Sequence, residues 1–268
     1  MIRSIIKTAL VLSLVLGTAA GAFAADSALA RIVENDELRV GTSGTQPPFT
    51  LVSKSGELIG FDIDLATLIA DAMGVEVTFV QKPFGELLGA LEKGEVDIVM
   101  SGMTMTPARN LRFAFVGPYM VSGKSILTTS VALSRAEAAE DIDQSQVRMA
   151  ALKGSTSQDF VTEVWPRMQL TVTDSYDEAI QLLREDKVGA VVADFPFCAL
   201  SVMRFPADGF ATLDQPLTIE PMGVAMPPND MLFVNMMENY LGALEGIGIL
   251  ELLEEKWFQD GSWLIQMP

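Results

Sequence analysis

Ser101-Gly102-Met103-Thr104-Met105-Thr106-Pro107-Ala108-Arg109 follows directly on the apolar run Val96-Asp97-Ile98-Val99-Met100. A strand that ends in such a loop leaves backbone amides, hydroxyls and one guanidinium at its carboxyl end, which is where open α/β sheets take their ligands. The chemistry is that of a carboxylate receptor.

The neighbouring segments make that strand one of a parallel set. Upstream, residues 38–42 read as a strand and 49–60 as a hairpin turning at Lys54-Ser55-Gly56-Glu57. Phe61, Leu65, Leu68, Ile69 and Met73 then recur at helical spacing, with Asp62, Asp64 and Asp71 assigned to the wet side and Gly74 closing the helix. A strand over 75–80, a helix over 84–93 and the strand 96–100 complete a β-α-β-α-β pattern, which predicts a parallel sheet.

Past Ser122-Gly123-Lys124 the alternation restarts. Residues 125–131, 147–152, 169–173 and 188–193 read as strands, and 135–141, 157–165 and 176–185 as helices. This predicts a second α/β unit of similar size. Residues 222–226 and two helices over 230–258 have no parallel sheet of their own and are expected to return to the first unit. The expected division is therefore lobe 1 over 25–122 and 222–268, and lobe 2 over 123–221. Two short crossovers, near 121–125 and 218–223, would form a hinge with a ligand cleft between the lobes.

Composition removes whole classes of chemistry. The 268 residues contain no histidine, which excludes serine-hydrolase triads and histidine-based zinc sites. A single cysteine, Cys198, excludes thiolate metal sites and internal disulfides, and its apolar setting predicts a buried small hydrophobe. Neither a metal nor another cofactor is expected. Net charge is −17, a balance that disfavours nucleic acid and anionic membrane surfaces as partners.

The first 24 residues read as a cleaved secretory signal peptide: Arg3 and Lys7, a short apolar run over 9–16, then Ala22-Phe23-Ala24. That run falls well short of the ~20 residues needed to span a bilayer. Cleavage after Ala24 removes two cations and no acids, and no cysteine at the new terminus offers a lipid site. The expected product is periplasmic, soluble, monomeric and free of any membrane anchor.

Seven segments in order carry a resemblance to a known family. They are Gly41-Thr42-Ser43-Gly44-Thr45-Gln46-Pro47-Pro48-Phe49, Gly60-Phe61-Asp62-Ile63-Asp64-Leu65, residues 101–109, Gly117-Pro118-Tyr119, Gly154-Ser155-Thr156-Ser157, Ala193-Asp194 and Glu255-Lys256-Trp257-Phe258. Together they resemble the periplasmic amino-acid-binding proteins of ABC importers, solute-binding protein family 3, over nearly all of the chain after the leader. The resemblance implies a type II periplasmic-binding-protein-like fold, two α/β lobes joined by a two-strand hinge, and a membrane ABC permease as partner.

The resemblance also implies a site. Arg109 falls on the arginine that grips the ligand α-carboxylate, a planar fork suited to two parallel charge-assisted bonds. Thr104 supports it from lobe 1. Ser155 and Thr156 open a lobe 2 helix whose amides present a positive dipole end to the same anion. Asp194 corresponds to the carboxylate for the ligand ammonium, with Ser101 and Gly102 taking the remaining protons. Ser43, Gln46, Phe84 and Leu152 fall on the side-chain pocket.

Relatives for cationic amino acids often carry an acid and an aromatic where this chain has Ser43 and Gln46, so a neutral amino acid is the expected ligand. Lys153 is read as solvated, and an inward-facing Lys153 would admit an acidic side chain. The expected function is capture by hinge closure without catalysis. Two alternatives stand beside it: a sensor module of a signalling system, and a cleft enzyme resembling cyclohexadienyl dehydratase with Glu86 and Lys153 as its acid–base candidates.

Overall fold

The computed structural model describes residues 27–142 and 147–268, and the expected leader lies outside them. Among the described residues the strands are, in chain order, β1 (Glu37–Thr42), β2 (Thr45–Gln46), β3 (Thr50–Val52), β4 (Leu58–Ile59), β5 (Glu76–Gln81), β6 (Ile98–Val99) and β7 (Ala114–Ser122). They continue as β8 (Lys124–Thr128), β9 (Arg148–Leu152), β10 (Gln169–Thr173), β11 (Ala190–Asp194), β12 (Ala211–Thr212) and β13 (Glu220–Met226). One five-stranded sheet has the order β5-β1-β6-β13-β7 and a second the order β10-β9-β11-β8-β12. The short strands β2, β3 and β4 make a separate antiparallel ribbon.

Each sheet has the parallel centre that the alternation predicts. β1 pairs in parallel with β5 and β6, and β9 with β10 and β11. Antiparallel strands flank both centres: β13 and β7 in the first sheet, β8 and β12 in the second.

The helix Phe61–Met73 closes at Gly74 in the left-handed conformation, as its sequence predicts. It buries Phe61, Leu65, Ala66 and Ile69 in one cluster with Val224 and Met226 of β13 and with Phe233, Met237 and Leu241 of the helix Met231–Gly246. The carboxyl-terminal part therefore returns to the first sheet. Burying each of these side chains other than Ala66 contributes roughly 1.5–3 kcal/mol. Cys198 is fully buried, and burial pushes its thiol up.

Three expectations are corrected. Strand 96–100 shrinks to Ile98–Val99, because β13 meets it only at Ala225↔Val99, although Asp97 N–H still donates to Arg39 O and Met100 N–H to Gly41 O. The helix expected over 135–141 begins earlier, as Val131–Ser134, because the Ser130 hydroxyl caps the Leu133 amide and ends the strand at Thr128. Only a single tight turn, Ala139–Asp141, remains of the expected segment. Asp62 does not lie on the wet side of its helix; it is fully buried beneath the 101–109 loop.

The two sheets are joined where β7 runs into β8 and where β13 returns. Gly123 is the only residue between β7 and β8. β13 lies alongside, with Glu220 opposite Ser122 and Pro221 opposite Val121. Gly123 O accepts from Phe195 N–H at 2.8 Å, Leu217 N–H donates to Lys124 O at 2.7 Å, and Lys124 N–H to Thr218 Oγ1 at 2.9 Å. The two connections thus form a laced pair rather than loose linkers.

Candidate ligand-binding site

The 101–109 loop leaves the carboxyl end of β6 and is stitched onto β13. Met105 N–H donates to Pro221 O at 2.7 Å and Gly223 N–H to Met103 O at 3.1 Å. Ser101 Oγ accepts from Ser43 N–H and donates to Ser43 Oγ at 2.9 Å, which ties the loop to the end of β1. Gln46 is buried nearby.

Gly102 N–H donates to Asp62 Oδ2 at 2.6 Å. Burial pushes the Asp62 carboxyl up to about 7, against the Gly102 amide and the neighbouring Tyr119 phenol, which favour ionisation. The folded state therefore holds this proton more tightly than the unfolded chain does. Stability is undiminished below the unfolded value near 4, falls as pH rises from there to about 7, and is level above it. At ~1.4 kcal/mol per unit the whole window is worth on the order of 4 kcal/mol. Asp62→Asn keeps an acceptor for Gly102 and should flatten the fall in chemical denaturation series between pH 4 and 8. A fall of unchanged size would show that other groups cause it.

Thr106 caps the four-residue helix Pro107–Asn110, its hydroxyl accepting from Arg109 N–H, and so aims the arginine. Arg109 Nη1 donates to Thr104 O at 2.7 Å and Nη2 to Gly154 O at 3.1 Å. Its Cζ lies 5.9 Å from the centroid of the buried Phe84 ring. Desolvation lowers the guanidinium pKa, while Asp159, Glu220 and Asp194 hold it up.

The second sheet meets this loop directly. Thr104 Oγ1 and Thr156 Oγ1 are 3.3 Å apart. Ser155 is the cap of the helix Thr156–Val164: its hydroxyl accepts from Gln158 N–H and donates to Leu152 O at 2.6 Å. A Cβ placed on Gly154 would stand 2.9 Å from Gly85 Cα, so the two lobes touch backbone to backbone beside Phe84. One continuous apolar cluster contains Phe84 and Met103 from the first lobe and Leu152, Tyr176 and Phe197 from the second. The two lobes are in direct contact here. At the edge of this contact a cavity of about 250 Å³ is lined by Ser43, Thr45, Gln81, Lys82, Pro83 and Asp174.

Ser43, Ser101, Gly102, Thr104, Arg109, Phe84, Ser155 and Thr156 thus gather around one place. Asp194 ends β11 at the same cleft, but its Oδ1 accepts from Lys124 Nζ at 2.6 Å. Lys124 is 1 % exposed, and its Nζ is also 3.6 Å from Glu220 Oε2. Lys124, Glu220 and Asp62 were not legible as site residues from the sequence. The only signal for the first was a lone lysine opening the strand Ser125-Ile126-Leu127, two of whose three residues are apolar. Lys153 faces solvent beside Asp174, 3.6 Å away, and Glu86 is exposed.

Comparison with known proteins places the chain among binding proteins. The model for bacterial extracellular solute-binding proteins, family 3, matches residues 38–260. The ABC transporter arginine-binding protein 1 of Escherichia coli K12 is 26% identical over 83% of this chain and 91% of its own length. Cyclohexadienyl dehydratase of Pseudomonas aeruginosa is also 26% identical, over 88% of each chain. The crystal structure of an ancestral amino acid-binding protein, a precursor of cyclohexadienyl dehydratase, superposes with a TM-score of 0.80 at 34% identity, covering 87% of this chain and all of the other.

Proposed function

Because this chain belongs to the bacterial extracellular solute-binding proteins, family 3, we propose that it captures an amino acid with an uncharged side chain in the cleft between its two lobes and delivers it to an ABC permease. The carrying observation is Arg109, which reaches from the loop after β6 to the carbonyl of Gly154 on the opposite lobe. A ligand carboxylate on that fork would draw on Thr104 and Thr156, whose hydroxyls already meet across the cleft. Ligand contacts from both sides favour the closed form, because a ligand shifts such an equilibrium only by its differential affinity.

The lobe boundaries at 122/123 and 221/222 fit the laced connections around Gly123, about which residues 123–221 would swing. Ser43 and Gln46, both buried and uncharged, offer no carboxylate to a cationic side chain. The leader and the exported, monomeric form remain part of this reading. Among the described residues no helix is long and apolar enough to cross a membrane.

Binding without turnover is the better fit to the cleft. The two acid–base candidates, Glu86 and Lys153, are both exposed. A thermal-shift screen against the common amino acids tests the reading. A ligand at a hundred times its dissociation constant should add ~2.7 kcal/mol to stability. The expected outcome is a large shift with one neutral amino acid or a small group of them. No shift with any amino acid would refute the assignment, and shifts with arginine and lysine alone would refute its neutral side chain.

A further inference from the structure

Lys124 and Asp194 stand directly opposite each other on the antiparallel pair β8 and β11. The Lys124 ammonium is buried and bonded to Asp194 Oδ1 at 2.6 Å, with Glu220 Oε2 3.6 Å away. Asp194 is the carboxylate to which the resemblance to solute-binding protein family 3 assigns the ligand's ammonium. In this chain that carboxylate already has a cation of its own.

A cleft that offers a buried carboxylate to a ligand ammonium rejects the analogue lacking it by ~10⁴-fold, because the carboxylate is left unpaired. Here the Asp194 carboxylate keeps the Lys124 ammonium when the analogue binds. An incoming ammonium must instead share Asp194 with a like charge, which erodes the advantage it would otherwise bring.

We propose that Lys124 is a specificity-determining residue that releases this cleft from the need for an α-ammonium, so that small 2-hydroxy carboxylates are ligands alongside the amino acids of the same side chain. Arg109 and Thr104 hold the carboxylate in both cases, and the 2-hydroxyl meets the cleft where the amino group would. This inference rests on the function proposed above and widens its ligand class.

Calorimetry on the purified protein with matched pairs tests it: L-alanine and L-lactate, L-leucine and L-2-hydroxy-4-methylpentanoate, L-phenylalanine and L-3-phenyllactate, and any other amino acid that the thermal-shift screen identifies with its own 2-hydroxy analogue. For any pair that binds, the hydroxy acid should bind within roughly thirtyfold of the amino acid, or more tightly, against the ~10⁴-fold rejection of an ammonium-requiring site. A larger preference for the amino acid overturns the inference and leaves the proposed function standing. If neither member of any pair binds and the amino-acid screen is also empty, the proposed function fails and this inference with it.

Lys124→Met should restore the preference for the amino acid toward ~10³-fold or more, since Asp194 then needs the ligand's cation. An unchanged ratio in a folded variant would remove Lys124 from the role. The wild-type ratio decides the ligand class even where that variant does not fold.

Discussion

Replacing Arg109 by alanine is expected to abolish measurable amino-acid binding while leaving the fold in place. Truncating one partner of a desolvated, hydrogen-bonded charge pair costs ~2–5 kcal/mol, or roughly thirtyfold to several thousandfold in affinity. Arg109 should lie at the upper end, since its fork also makes the contact from Thr104 O to Gly154 O across the cleft. The fold should survive, because Arg109 sits in a four-residue surface helix and belongs to none of the apolar clusters. Arg109→Lys keeps the charge without the planar fork and should recover only part of the affinity. Calorimetry and thermal unfolding of the same preparations separate the two effects. Unchanged affinity in Arg109→Ala would sink the site assignment.

A methyl group at Gly123 should have the largest effect on the framework. A Cβ there would lie 2.0 Å from Thr218 O and 2.6 Å from Pro216 Cβ, and the first of these is backbone of the returning connection. Neither strand can yield locally, because Gly123 O and both backbone groups of Lys124 are committed to hydrogen bonds. The pair must separate, which moves β8 relative to β13. The cost should reach or exceed the ~1–3 kcal/mol usual for overpacking. At ~2–4 °C per kcal/mol for a chain of this size, the melting temperature should fall by about 5 °C or more. Stability within about 0.5 kcal/mol of the wild type, the range of an ordinary surface change, would show that the connections are looser than their bonds imply. Weakened binding together with lowered stability would tie the crossing to closure.

Much of the architecture was legible from local patterns. Helical spacing of Phe61, Leu65 and Ile69 placed a helix where it is found, and Gly74 ended it because a left-handed residue stops a helix wherever it occurs. Strand 169–173 was read to the residue. The segments that failed did so for non-local reasons. The helix Phe195–Arg204 went unread because its uniformly apolar stretch shows no face until packing supplies one, with Phe197 and Cys198 buried on it. The strand over 96–100 was read too long because its length depends on how far β13 follows it.

The candidate site divides along the same line. Ser101, Thr104 and Arg109 are close in sequence and were legible together as the loop proposed to bind a carboxylate. Asp62 was misread as solvent-facing because its burial depends on Gly102, forty residues away, whose amide it accepts. Lys124 carried no recognisable role because its partner, Asp194, lies seventy residues downstream.

By itself, then, the sequence determined two α/β units, the crossovers between them, the family and the loop here proposed to meet a carboxylate. All of these follow from periodicity, turn chemistry and residue order along short stretches. Only the tertiary structure decided which charges face each other. Strand order sets β8 beside β11 and so puts Lys124 on Asp194, and the contact between the two lobes puts Arg109 on Gly154 O. The free energy of a buried charge depends on its neighbours in space, and local sequence carries no record of them.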